Sequence, residues 1–323
     1  MAKDTTVSES TQTAGLAEAF REVRQRRSGW RRGLRMLRRN YVGVAGIVVL
    51  LLVGLAGLFA PVIAPYDPDL QQLDEGLVCP VFTSCPRYGT NETIHGSTDH
   101  LLGTDRLGRD ILSRIIYGAR VSIIVGITAV LLGAVVGSSL GLISGFYGGV
   151  ADTVIMRIGD IFLAFPYLLL AIAIVAVLGG GLMNVILVLA IAGWVPYARL
   201  IRGSVLSARE QEYITAARAI GVRDSVLLVK HMLPNVLTPI IVFGTFAVAA
   251  TIIAEAGLSY LGLGVGSKVP TWGNMLSDGR TYISTAWWLT TLPGLAIMLT
   301  VLSINLIGDW LRDALDPQLR NIE

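Results

Sequence analysis

Histidine, the side chain most often used for proton transfer and metal binding, occurs only three times in the 323 residues, at His95, His100 and His231. The three positions are too scattered to form a metal-ligand motif. The chain has no Gly-x4-Gly-Lys-Ser/Thr phosphate loop, and the glycine-rich run at 262–268 has a different spacing. It also lacks the His-Glu-x2-His helix of metalloproteases. We therefore predict a chain that is not an enzyme and that binds no metal or cofactor itself.

One ionisable residue within an apolar stretch stands out as a functional candidate, because a charge in a membrane is costly. Glu255 lies twenty residues after Asn235. That separation is about 30 Å along a helix at 1.5 Å per residue, which puts Glu255 near the outer mouth of a membrane span. It could contribute to a translocation path or outer gate. Alternatively, it could cap or brace the turn that follows.

These candidates belong to a chain that is 53% hydrophobic and only 15% charged. Soluble domains carry about 25% charged residues, so this composition cannot cover a soluble surface. A net charge of +3 without a basic domain argues against nucleic-acid binding. We predict an all-α membrane protein, in contact with membrane lipid, with six transmembrane helices of about 20 residues or more. They are placed near 42–64, 120–145, 154–178, 182–201, 236–258 and 286–308.

The distribution of Lys and Arg orients the predicted helices. With the N-terminus inside, the inner flanks hold 19 basic residues and the outer flanks hold 7. Basic residues are enriched on the cytoplasmic side of a membrane. We therefore predict that both termini are cytoplasmic, that a long loop at 65–118 lies outside, and that a loop at 203–234 lies in the cytoplasm.

The segment before the first span divides into two parts by composition. Residues 1–15 are rich in Ser and Thr and are predicted to be a disordered tail. Residues 16–40 combine apolar residues with many arginines, which is typical of an amphipathic helix at the anionic inner leaflet. A simple positively charged anchor is the alternative. The remaining 41–320 are predicted to form the transmembrane domain.

Two features of the outer loop allow alternative interpretations. Cys79 and Cys85 are the only cysteines and are predicted to lie in an oxidising compartment, where they form a disulfide or remain two free thiols. Four charged residues precede the second span, and they form either an interfacial segment that faces a partner protein or a structural set of salt bridges. These residues are Asp105, Arg106, Arg109 and Asp110.

The cytoplasmic loop at 203–234 carries a pattern of small residues and helix breakers. Three alanines at 216, 217 and 219 favour a helix with little bulk, which can approach a partner closely. Gly221 can end that helix in the left-handed conformation, and Pro234 suits the start of the next span. An ordinary surface hairpin is the alternative. The predicted contact residues are Glu212, Thr215, Ala216, Ala217, Arg218, Gly221, Leu233 and Pro234.

This loop resembles the "EAA" loop of ABC importer permeases, whose pattern is Glu-Ala-Ala-x3-Gly-x9-Ile-x-Leu-Pro. Here Ala216-Ala217-x3-Gly221 is followed by Leu233-Pro234, with Thr215 in place of Glu and His231 in place of Ile. Gly103-Thr104-Asp105-x2-Gly108-Arg109-Asp110, the run from Glu255 to Gly264 and Pro270-Thr271-Trp272-Gly273 resemble the dipeptide/oligopeptide/nickel branch. The likeness covers roughly 35–320.

The resemblance implies a C-type permease subunit of a peptide importer in the cytoplasmic membrane of a prokaryote. It implies as partners a homologous second permease subunit, two ATP-binding subunits that hold ATP and Mg, and an extracytoplasmic substrate-binding protein. In the family, the loop carries a coupling helix that sits in a cleft of the ATPase. Nickel chelates or another small solute are alternative substrates. A secondary transporter driven by an ion gradient is the alternative class, but the near absence of ionisable residues at mid-depth argues against it.

Overall fold

The computed structural model describes residues 41–86, 93–266 and 268–315, and most of them are helical. The predicted tail at 1–15 and amphipathic helix at 16–40 lie outside the described residues. The predicted all-α transmembrane fold is confirmed, with five helices long and apolar enough to span a membrane and a bent pair that makes a sixth. The spanning helices are α1 Tyr41–Leu58, α3 Ile111–Tyr147, the bent pair α4 Gly149–Leu163 and α5 Tyr167–Leu178, α6 Leu182–Arg209, α9 Leu233–Tyr260 and α11 Trp288–Leu315. The short helices are α2 Ala60–Ile63, α7 Glu212–Ala219, α8 Asp224–Val226 and α10 Trp272–Gly279.

The second span starts earlier than the sequence predicted. Helix α3 begins at Ile111 rather than near 120, and its 37 residues extend about 55 Å at 1.5 Å per residue. The early start has a local cause, since the Asp110 side chain accepts a hydrogen bond from the Ser113 amide and so caps the helix. The outer loop predicted at 65–118 therefore ends at Asp110.

The third predicted span, 154–178, is not one straight helix. Helices α4 and α5 meet at an angle of 90° across a break of three residues that contains Pro166. Pro166 lacks an amide hydrogen and disfavours helical geometry in the residue before it, which explains why the helix is interrupted here. Arg202 of α6 holds α4 through two hydrogen bonds to Asp152, of 2.5 and 2.6 Å.

A stripe of four glycines brings α3 against α6. Gly133, Gly137, Gly141 and Gly145 recur every four residues along one face of α3. A Cβ added at these positions would lie 3.2, 2.2, 2.5 and 3.0 Å from carbonyl oxygens of α6, which are those of Ala190, Trp194, Ala198 and Arg202 in the same order. The partner residue number rises with the glycine number, so the two helices run in the same direction. Small residues of this kind allow transmembrane backbones to approach closely.

A compact layer covers the N-terminal end of α3, and we call it the polar cap, residues 65–86 and 93–110. It contains a 3₁₀ turn at Leu73–Glu75 and two antiparallel strands, β1 Ser84–Pro86 and β2 Thr93–His95. Cys79 and Cys85 are joined by a disulfide, and Cys79 has no exposed surface. The indole nitrogen of Trp288, at the start of α11, donates to the Thr104 carbonyl oxygen at 3.2 Å.

Gly137→Ala tests the contact between α3 and α6. The new Cβ would lie 2.2 Å from the Trp194 carbonyl oxygen, so we expect a loss of about 1–3 kcal/mol in stability despite the better helix propensity of alanine. The measurement is thermal unfolding of the purified protein in detergent. Gly193→Ala is the matched control, because no atom lies within 4 Å of its added Cβ and it should be neutral or slightly stabilising. Equal melting temperatures for the two variants would contradict the close contact.

Candidate functional site: a hairpin at one end and a polar cap at the other

The predicted cytoplasmic loop forms a hairpin between α6 and α9, and we call residues 210–232 the hairpin. Helix α7 is followed by Gly221, whose φ of 82° is the left-handed geometry that glycine adopts most readily. Helix α8 and a π-helical turn at Leu227–Met232 then lead directly into α9. The loop predicted at 203–234 is therefore shorter than expected, because its first seven residues extend α6 and its last two begin α9.

One apolar anchor holds α7 to the membrane helices. Ile214 is buried and belongs to a cluster with Phe146 of α3, Leu227 and Met232 of the π-helical turn and other residues of α6 and α9. The Arg218 guanidinium lies 5.1 Å from the centre of the Phe146 ring, a distance typical of a cation–π contact. Because Phe146 is the penultimate residue of α3, this cluster joins the hairpin to the end of that helix.

The opposite face of the hairpin leaves apolar surface uncovered. Ile220 is 82% exposed, and the Tyr213 ring is exposed as well. Ala216 and Ala219 are also exposed, whereas Ala217 is half-buried and packs on the hairpin's own apolar cluster. The alanines that can meet a partner are therefore Ala216 and Ala219, and Ala217 serves the hairpin's internal packing. Sequence reasoning missed Ile220, although a large apolar residue beside a polar turn was a usable signal.

The other predicted loop residues occupy supporting positions. Glu212 lies in the first turn of α7 and Arg218 in the last, which suits the helix dipole at both ends. Thr215 is exposed, where the family pattern has Glu. Leu233 and Pro234 form the first turn of α9, directly after the π-helical turn, and Pro234 has no amide hydrogen to donate to that turn.

At the other end of α3, the charged segment of the cap is largely buried. The Asp105 carboxylate receives hydrogen bonds from Arg109 at 2.6 Å and from Arg114 at 2.5 Å. Arg109 also binds Asp278 of α10 at 3.0 Å, so the network joins the cap to α10 across 169 residues of sequence. Of the two interpretations of this segment, a structural set of salt bridges describes Asp105 and Arg109.

Arg106 differs from its neighbours because its side chain is exposed. It lines a cavity of about 350 Å³ that also contains Asp69, Lys268 and Asp278. Among the described residues, neither Arg106 nor Lys268 forms an ion pair, whereas Asp278 is bound to Arg109. Within the described part of the chain, the cavity therefore presents two cations that form no ion pair, together with the carboxylate of Asp69.

Asp110, the fourth residue of the segment, is also buried and connects two parts of the cap. One carboxylate oxygen caps α3 by accepting from the Ser113 amide at 2.8 Å. The other lies 2.9 Å from Nδ1 of His100, whose Nε2 lies 2.9 Å from Glu75. His100 is itself buried. Sequence reasoning weighed His100 only as a metal ligand and so missed this arrangement.

Glu255 has no exposed surface within this chain. Its carboxyl group accepts from Ser259 at 2.7 Å and from Ser122 of α3 at 3.4 Å. It thus connects α9 to α3. Of the two roles considered for Glu255, this arrangement favours bracing over direct lining of a path.

Comparison with known protein families decides what this architecture belongs to. Residues 137–321, more than half of the chain, match the family described as "Binding-protein-dependent transport system inner membrane component". The chain belongs to this family. Residues 28–78 also match the family described as "N-terminal TM domain of oligopeptide transport permease C". The chain is therefore a membrane-spanning permease of a binding-protein-dependent transport system, as the EAA-like loop predicted.

Individual relatives cover almost the whole permease. The chain is 45% identical over 282 residues to the di/tripeptide transport system permease protein DppC of Pseudomonas aeruginosa, covering 87% of this chain and 90% of that protein. It is 43% identical over 300 residues to the glutathione transport system permease protein GsiD of Pectobacterium atrosepticum, covering 91% and 93%.

A solved structure supports the permease fold independently. The chain resembles an inward-facing structure of the MetNI methionine ABC transporter with a TM-score of 0.53 and 18% identity. The match covers 64% of this chain and 98% of that one. At this identity the likeness speaks for the fold alone.

Proposed function

We propose that this chain is the permease subunit of an ATP-driven importer that moves peptides across the cytoplasmic membrane. The observation that carries the proposal is the hairpin, which exposes Ile220 and Ala216 while Ile214 anchors it to the end of α3. The names of the relatives, which are di/tripeptide, dipeptide and glutathione permeases, support a short peptide as substrate. We propose that partner subunits bind the ATP and Mg, since the sequence contains no Gly-x4-Gly-Lys-Ser/Thr phosphate loop.

The proposed assembly contains this permease, a homologous second permease, two ATP-binding subunits and an extracytoplasmic substrate-binding protein. Closure of the ATP-binding subunits would displace the hairpin as a rigid unit. The buried cluster that contains Ile214 and Phe146, and the contact of Arg218 with the Phe146 ring, would then pass that displacement to α3, which reaches the cap. Such coupling requires that the hairpin contacts differ between the two states of the ATPase.

The proposed orientation has the hairpin in the cytoplasm and the polar cap outside. Its support is the excess of basic residues on the inner flanks and the disulfide in the cap, which suits an oxidising compartment. In a background with Cys79 and Cys85 replaced by serine, an impermeant maleimide applied to intact cells should label Asp69→Cys and not Ser225→Cys. Both positions are exposed, so reversed labelling would overturn the orientation.

Ile220→Asp tests whether the hairpin binds the ATPase. Burying an isoleucine side chain is worth about 1.5–3 kcal/mol, so its replacement by a charge should weaken docking roughly ten- to hundredfold. We expect the ATPase to be lost on gentle solubilisation and uptake into vesicles to fall. Ala216→Trp should act in the same way by overpacking the contact.

Ile220→Leu is the matched control, since it keeps an apolar side chain of the same volume and should retain the ATPase. The Ile220 side chain is almost fully exposed, so none of these variants removes a buried contact of the permease itself. Normal ATPase co-purification and normal uptake in both Ile220→Asp and Ala216→Trp would mean that this is an ordinary surface hairpin.

We further propose that Arg106 and Lys268 attract an acidic side chain of the substrate-binding protein to the cavity in the cap. Both cations are exposed and lack an ion-pair partner among the described residues. Charges at the rim of an interface mainly accelerate association and select the partner. The buried pair of Asp105 and Arg109 would hold Arg106 in place without contacting the partner.

Arg106→Glu should raise the concentration of binding protein that gives half-maximal uptake in proteoliposomes. An exposed ion pair is worth about 0.2–1 kcal/mol, so the shift should be roughly 1.4- to fivefold, and more where the reversed charge repels its partner. Added salt should weaken uptake by the wild type more than by the variant. Arg106→Lys keeps the charge and serves as the control. If Arg106→Glu needs the same concentration of binding protein as the wild type, the cavity is not part of the docking surface.

A further inference from the structure

A buried histidine in the polar cap lies between two carboxylates. Nδ1 of His100 is 2.9 Å from Asp110, and Nε2 is 2.9 Å from Glu75. Only 3% of His100 is exposed, so both ring nitrogens depend mainly on these two contacts for hydrogen bonding. An ionised carboxylate is only an acceptor, and a neutral imidazole has a single N–H. The arrangement is therefore complete only when the ring is an imidazolium that donates from both nitrogens.

The two contacts join separate parts of the cap. Glu75 ends the 3₁₀ turn at Leu73–Glu75, whereas Asp110 caps the first turn of α3. Tyr66 stacks at 4.8 Å from the His100 ring, and its amide donates to Ser113 of α3 at 3.1 Å. His100 thus fastens the segment from Tyr66 to Glu75 onto the start of α3.

The remaining charged groups nearby have other partners. Arg109 and Arg114 bind Asp105, and both also approach Asp278. Asp99, next to His100 in sequence, interacts with Ser97. Among the described residues, the titratable groups that face the ring are therefore Tyr66, Glu75 and Asp110. The two carboxylates lie on opposite ring nitrogens, so they cannot converge with the ring on a single metal ion.

We propose that His100 is a sensor of extracytoplasmic pH, which fastens the polar cap when protonated and releases Glu75 when it loses its proton. The external location rests on the proposed orientation of the permease. Glu75 is the contact that opens because its side chain is 47% exposed and can be hydrated, whereas that of Asp110 is 2% exposed and remains bound to Ser113.

The direction of the pH dependence follows from the opposing effects of burial and of the two carboxylates on the pKa of His100. Burial lowers the pKa of His100, but the hydrogen bonds and negative charges of Asp110 and Glu75 outweigh it, so the pKa is raised above its ordinary value. A group with a raised pKa stabilises the folded form fully below its ordinary pKa of about 6.5. That stabilisation is lost as the pH rises through the raised value, so the cap loosens on the alkaline side.

Hydrogen exchange tests the proposal on the full permease complex in proteoliposomes, in the absence of substrate. The quantity is the protection factor of the peptide at 66–78, corrected for the intrinsic rate, between pH 5.5 and 9. We expect protection to fall with rising external pH by about tenfold for each unit by which the pKa of His100 is raised. Changing only the internal pH should have no effect.

Two variants and a control make the result specific. His100→Gln should remove the pH dependence of protection. Glu75→Gln, which leaves His100 and Asp110 in place, should reduce it and shift its midpoint to lower pH. Asp99→Asn should behave as the wild type, because Asp99 is exposed and does not contact the ring.

Protection that is independent of pH in the wild type would overturn the proposal. A pH response of Glu75→Gln with the same midpoint as the wild type would also overturn it. This second test remains decisive if His100→Gln fails to fold. A response to internal pH alone would overturn the external location. Because protection is measured without transport, these outcomes are distinct from a failure of the peptide-import function, which would appear in uptake with the pH response intact.

Discussion

The contact between the backbones of α3 and α6 is the constraint on which the rest of the permease depends. Four glycines at a spacing of four residues allow carbonyl oxygens of α6 to lie where side chains would otherwise be. Two helices in such contact can move together but cannot slide independently, since packed interfaces do not deform continuously. Helix α3 begins at the Asp110 cap and contributes Arg114 to the ion pairs of the polar cap and Phe146 to the hairpin cluster, so one rigid pair connects the two ends.

The hairpin and the cap use opposite physical means to attach to this pair. The hairpin depends on apolar burial around Ile214, which is non-directional and tolerates small changes of angle. The cap depends on buried ion pairs and hydrogen bonds, which are directional and are lost when a partner is displaced. An apolar attachment at the hairpin and a directional polar one at the cap suit the proposed mechanism, in which the subunit receives movement at one end and presents a defined surface at the other.

Much of this architecture could be predicted from the sequence, because membrane spans and helix-ending glycines leave local signals. The apolar stretches gave the fold, and Gly221 has the left-handed geometry expected of it. The start of α3 was placed too late, because amphipathic and charged residues after Ile111 hid a helix that depends on its Asp110 cap. The exposure of Ala216 and the partial burial of Ala217 also could not be predicted, since they depend on which side of α7 faces Phe146. The contacts of His100 join residues 75, 100 and 110, and no local pattern reveals such an arrangement.

The break between α4 and α5 affects the stability of the subunit in a bilayer. The first helical hydrogen bond of α5 runs from Leu170 to Pro166, so the amides of Tyr167, Leu168 and Leu169 precede it. These three residues are exposed in the single chain. Hydrocarbon offers no hydrogen-bond acceptor, so open amides at membrane depth are tolerated only against protein or a water-filled space. The break thus calls for neighbouring protein or water, and a copy of this chain surrounded by lipid alone would leave these amides without acceptors.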